Sequence, residues 1–139
     1  MNKEKSCGAV IFKDNNNVIE FLIEQMPQGH FAFPKGHVEG KEEELETASR
    51  EIKEETNLSV SFLPKFREKT KYHPKKDSIK TVIYFLAEAK DISNLKKQDS
   101  EVKDILWLDF ESAMKTITFQ NDKEILRESY KYLRKINRA

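Results

Sequence analysis

Between Gly36 and Leu58 the chain reads GHVEGKEEELETASREIKEETNL, and no other stretch limits the fold so tightly. An acidic lead-in gives way to a run with helical spacing. Within it Leu45, Ala48 and Ile52 recur at the interval that packs a helix on a neighbouring layer. At roughly 100° per residue, Glu51 and Glu55 fall within about 40° of each other, and Glu54 about 60° from Glu51. Carboxylates gathered on one side of a helix repel one another unless they share a cation. Glu51, Glu54 and Glu55 are therefore read as ligands of a hard divalent ion, Mg²⁺ or Mn²⁺, which prefers oxygen donors. For the cluster by itself a solvated glutamate-rich helix is the commoner arrangement, because Glu favours helices and Glu42 to Glu44 suit a helix start in any protein.

Around this segment the pattern is mostly strand. Ser6 to Lys13 and Val18 to Gln25 read as strands joined by a hairpin turn at Asp14-Asn15-Asn16-Asn17, residues that tolerate turn conformations. Pro27-Gln28-Gly29 ends the second strand, and a short segment, Phe31 to Pro34, leads into the acidic stretch. Leu58 to Lys71, Lys80 to Ala89 and Ile105 to Phe110 read as further strands, with a turn near Pro74-Lys75-Lys76-Asp77. The C-terminal segment is helical, with Leu126, Tyr130 and Leu133 as its apolar stripe; Asn121 is expected to cap it, paired with Glu124. Strands and helices interleaved in this way predict an α/β sandwich, a mixed sheet between helices, with residues 1–139 as one domain.

Charge excludes little here. There are 25 basic and 24 acidic residues, a net +1, so overall charge argues neither for nor against nucleic acid. The lone Cys7 cannot form an internal disulfide, and its apolar neighbours Ala9 to Phe12 make it a buried strand residue. No apolar run approaches the ~20 residues of a membrane span, and the N-terminus carries no secretory pattern. A cytoplasmic protein is expected.

The spacing within the acidic stretch goes further. Gly36, five residues, Glu42, seven residues and then Arg50-Glu51-Ile52-Lys53-Glu54-Glu55-Thr56-Asn57-Leu58 resembles the Nudix box, the signature of hydrolases that cleave a nucleoside diphosphate linked to another moiety. One position departs from it: Asn57 stands where that family has glycine, and Asn is the next-best residue for the left-handed end of a helix. Within the family, three segments look like the asymmetric diadenosine tetraphosphate hydrolases of animals and archaea. They are Cys7 to Phe12, Pro34 to Glu39 and Lys80 to Glu88, and the likeness extends to the Trp107 strand and the Phe119 region.

The resemblance implies a Nudix fold and a set of roles. It adds the backbone carbonyl of Gly36 to the metal ligands, and makes Arg50 and Glu42 an ion pair that orients the carboxylates. The water-activating base is Glu54 or Glu101, the latter in the polar loop before Trp107. Lys35, Tyr72, His73, Lys75, Lys76 and Lys80 are candidates for phosphate contacts. Tyr84 and Phe119 would sandwich an adenine, with Phe31 and Phe33 at the entry or in the packing beneath it. The expected reaction is metal-dependent hydrolysis of a phosphoanhydride, diadenosine tetraphosphate to ATP and AMP. The alternatives are a nucleoside triphosphate, a nucleotide sugar such as ADP-ribose, or removal of pyrophosphate from an RNA 5′ end. A non-catalytic nucleotide-binding module remains as a third reading, which the three retained glutamates oppose. The expected partner is a small nucleotide, with nucleic acid only as an RNA 5′ end, and the chain is a monomer or homodimer.

Overall fold

Two adjacent left-handed asparagines, Asn16 at φ 52° and Asn17 at φ 72°, fold the chain back on itself near its start. The Asn17 amide donates to Asp14 Oδ1 at 2.9 Å, which fixes the turn. This hairpin joins strand β1 (Asn2–Asn15) to β2 (Val18–Gln25) in the computed structural model, which describes residues 2–139. The elements that follow are β3 (Phe31–Ala32), β4 (Lys35–His37), helix α1 (Glu44–Thr56), β5 (Ser61–Tyr72), β6 (Ser78–Glu88), β7 (Asp104–Asp109), α2 (Phe110–Thr116) and α3 (Gln120–Lys135). The strands form one mixed sheet in the order β3-β2-β1-β6-β5, with β4 added to β1 and β7 to β2. Only β1 and β6 run parallel, in register from Asn2–Ser78 to Phe12–Glu88.

Strand alternation divides the core into two layers. Val10, Phe12, Phe21, Ile23, Val82, Tyr84 and Leu86 face α2 and α3, where Ala113, Leu126 and Leu133 meet them. Cys7, Ala9, Ile11, Leu22, Ile83 and Ala87 face α1 and bury Ala48 and Ile52. The expected sheet between helices is therefore present, and no helix among the described residues is long and apolar enough to cross a membrane.

Several boundaries differ from the sequence reading. β5 begins at Ser61 rather than Leu58, and its pairing with β6 slips between Phe62 and Arg67, around Pro64, which cannot donate to a ladder. The last strand stops at Asp109, whose side chain accepts from Ser112 N at 2.9 Å and starts α2, a helix the pattern did not suggest. Asn121 does not cap α3. The helix begins at Gln120, because Thr118 is tied to Phe31 by paired hydrogen bonds of 2.8 and 3.2 Å, leaving Asn121 inside the first turn. Leu45, expected against the sheet, is 46% exposed, and Thr47 takes the inward place in that turn. Asn57 does close α1, at φ 61° with its amide on Lys53 O.

Candidate active site

The site grows from a close crossing of β4 under α1. Cys7 pairs with Gly36 and Gly8 with Lys35 across the β1–β4 ladder, and this brings the Gly36 backbone beneath the middle of α1. A β-carbon on Gly36 would lie 2.0 Å from the Glu51 carboxyl carbon, so any larger residue there would push that carboxylate from its place. From α1, Glu51 and Glu55 turn inward and are buried, while Glu54 stays exposed.

Arg50 binds this corner together. Its Nε and Nη2 grip Glu42 at 2.6 and 3.0 Å, and Nη2 also donates to His37 O at 3.0 Å. Its Nη1 reaches Glu51 and Glu54, each at 3.2 Å, and Glu39 at 3.3 Å. Glu42 further accepts from Glu39 N at 2.9 Å and Thr47 Oγ1 at 2.8 Å, and these donors with Arg50 hold its carboxyl down at about 2. Burial pushes the Glu55 and Glu51 carboxyls up, Glu55 most, because Glu24 and Glu51 crowd it as well. Glu24, on β2, is wholly buried beside them, and its carboxyl is raised by the same desolvation.

Beside the acidic corner lies a cavity of about 490 Å³ lined by Lys35, Tyr72, Tyr84, Phe119, Asp122 and His30, among others. Its size suits one nucleoside. Phe119 is 52% exposed at its rim, with the His30 ring 5.4 Å away, and Tyr72 is 38% exposed on the β5 side. Tyr84 is different from the expectation: it is fully buried, packs edge-on to Phe33 at 5.6 Å, and donates its hydroxyl to Asp122 at 3.1 Å. Alternation along β6 aims it inward with Val82 and Leu86, so it forms a floor and presents no open ring face. Lys35 carries the connection between the two regions, since its charge reaches Glu24 on one side and Asp122 and His30 on the other. Lys80 stands beside it; burial and the Lys35 charge both push its ammonium pKa down.

The remaining candidates separate. His73 Nδ1 meets Ser78 O at 2.7 Å in the β5–β6 turn and does not line the cavity; Lys75 and Lys76 are exposed in the same turn. Glu101 is exposed on its loop, with its charge felt by Glu24. Phe33 is core, and Phe31 packs partly buried beside it.

Sequence reasoning missed His30, Asp122 and Glu24. Glu24 had a weak signal: a charged residue two positions after Leu22, on a strand face it shares with Glu20.

Comparison with known proteins agrees with this fold. A family model described as NUDIX domain matches residues 3–129. The chain is 37% identical over 140 residues to the asymmetrical bis(5′-nucleosyl)-tetraphosphatase of Mus musculus, spanning 93% of this chain and 95% of that one. The crystal structure of a C. elegans Ap4A hydrolase binary complex superposes with a TM-score of 0.86 at 30% identity, over 94% of this chain and 97% of that one. The NUDIX domain of Shewanella oneidensis NrtR complexed with ADP ribose has a TM-score of 0.76 at 15% identity, over 96% of this chain and 90% of that one, and shares the fold alone.

Proposed function

The chain belongs to the Nudix family of hydrolases, and on that premise we propose that it hydrolyses diadenosine tetraphosphate asymmetrically, to ATP and AMP, as one catalytic unit spanning residues 1–139. The observation that carries this reading is Lys35, which lines the base-sized cavity and is the chain neighbour of Gly36, whose backbone lies against the Glu51 carboxylate; this supports a polyphosphate running from one to the other. The mouse relative's name states the same asymmetric activity.

Hydrolysis joins the oxygen of water to one phosphorus and releases the bridging oxygen on the other phosphate, with protons passing to a base and to solvent. A divalent ion would supply an acidified water and charge neutralisation for the phosphates. The residues present fit such an ion: the donors are all oxygen, Glu55 Oε1 is buried without a partner, and glycine at position 36 lets the backbone lie directly against the Glu51 carboxylate. Glu51, Glu55, Glu54 and the Gly36 carbonyl would hold it, with Mg²⁺ or Mn²⁺ as the ion. Among the described residues no three acidic side chains already surround one point, because Arg50 draws Glu51 and Glu54 toward itself. We assign water activation to Glu101, with Glu54 as the alternative, since Glu54 is already held by Arg50.

For the base, the two exposed rings of the cavity are Tyr72 and Phe119, and we assign the stacking to them in place of Tyr84. Lys35 and Lys80 meet the phosphates, and His73 is left outside the site. The lone buried cysteine suits a reducing cytoplasm, and the chain acts as a monomer or homodimer without needing nucleic acid.

The test is product analysis by ion exchange with Mg²⁺ over diadenosine tetraphosphate, deoxynucleoside triphosphates, ADP-ribose and 5′-triphosphorylated RNA. Fast release of ATP plus AMP, with the others slow, is expected. Preference for any other member would keep the hydrolase and discard the dinucleotide. Glu101→Gln should lower kcat with metal affinity intact; if Glu54→Gln alone does so, the base is Glu54.

A further inference from the structure

Glu24 occupies a position built for an apolar side chain. It lies two residues after Leu22, pairs in register with Ile105 of β7, and is fully buried on the α1 face of the sheet. An unpaired buried carboxylate is strongly destabilising, yet neither Glu24 oxygen has a hydrogen-bond partner. Lys35 is near enough for its charge to be felt, but among the described residues it forms no ion pair with Glu24. Beside Glu24 lies the carboxylate of Glu55, whose Oε1 is likewise buried and without a partner. Two acceptors side by side in a dry interior need a cation or a proton between them, and Glu55 is a residue of the acidic motif while Glu24 is not.

We propose that Glu24 is a further carboxylate of the metal site, reaching the divalent ion from β2, opposite the helix that carries Glu51 and Glu55. The idea rests on the Nudix reading of that helix. It explains why a glutamate is buried beside Leu22 and Ile105 without a donor: its partner is the ion. It also adds β2 to α1 and β4 as a third element supplying ligands, so that ion uptake would tie β2 to α1.

The experiment is Mn²⁺ binding to the full chain, followed by electron paramagnetic resonance and calorimetry, for the parent, Glu24→Leu, Glu24→Gln and Glu51→Gln. Glu24→Leu should fold with an equal or higher Tm without metal, because it completes the apolar layer. Both Glu24 variants should bind Mn²⁺ about tenfold or more weakly, or bind one ion fewer. If Glu24→Leu does not fold, the near-isosteric Glu24→Gln decides. Parent-like Mn²⁺ affinity, stoichiometry and spectrum in the Glu24 variants, with binding lost in Glu51→Gln, would overturn the proposal and leave the Nudix site standing. Parent-like binding in Glu51→Gln as well would remove both.

Discussion

The carboxylate of Glu51 rests on the α-carbon of Gly36, with only 2.0 Å between its carboxyl carbon and the place a β-carbon would take. The obstructed group is the far end of a flexible side chain, so it will swing away before the backbone yields. Gly36→Ala is therefore expected to fold with a Tm near that of the parent while losing most of its turnover. A fall of about 100-fold or more is expected, because a displaced group near the chemistry costs on this scale. Circular dichroism melting beside steady-state rates checks it; a fully active Gly36→Ala would show that Glu51 works from another position.

Gly8 presents the opposite case. A β-carbon there would meet Pro34 O at 2.0 Å and Lys35 Cβ at 2.6 Å, and Pro34 O is backbone. Ala9 N also donates to Pro34 O at 3.2 Å, which holds the two strands at this spacing. Gly8→Ala should then cost stability, about 2–3 kcal/mol by the usual scale of overpacking. Urea unfolding measures it, and an unchanged midpoint would contradict the close approach of β1 and the Pro34–Lys35 segment.

The two aromatic residues once paired by sequence should behave unlike each other. Phe119 is half exposed at the cavity rim, so Phe119→Ala should leave the Tm almost unchanged and raise KM for a dinucleotide about tenfold. Tyr84→Phe removes the one side-chain hydrogen bond made to the buried Asp122 carboxylate among the described residues, and should destabilise the fold by about 1–3 kcal/mol. Thermal melts and substrate titrations on both variants separate the roles. An exchange of the two phenotypes would restore Tyr84 as a stacking ring.

Where local chemistry decides a feature, the sequence was readable. Asn57 at the end of α1 and the Asn16–Asn17 turn each take the left-handed conformation that asparagine tolerates, and no distant residue is needed to see it. The acidic corner was readable for a similar reason, since helical spacing alone brings Glu51 and Glu55 together. Features set by tertiary contact were not. Asn121 looks like a cap until the Thr118–Phe31 tie moves the helix start. Tyr84 alternates in step with Val82 and Leu86 in either reading, and only the packing of Phe33 and Asp122 makes it a floor rather than a platform. Glu24 left only a weak signal in β2, and its meaning depends on Glu55 from a separate element.

Acid should loosen the join between α1 and the edge of the sheet. Glu44 in the first turn of α1 accepts from Arg67 of β5 at 2.8 and 2.9 Å and lies 2.7 Å from Lys5 of β1. The Arg67 hydrogen bonds lead the effects that hold its carboxyl down from the ordinary 4.5 to about 2. A carboxyl whose pKa falls on folding contributes stability above its unfolded value, and that contribution disappears as pH drops through the folded one. Because solvent screens this partly exposed cluster, the contribution at neutral pH is about 1 kcal/mol. Glu44→Gln should thus melt below the parent at pH 7, with the gap closing between pH 4.5 and about 2. Paired melts across that range test it: a gap that stays constant to the acid end would assign the loss to packing rather than to the charge.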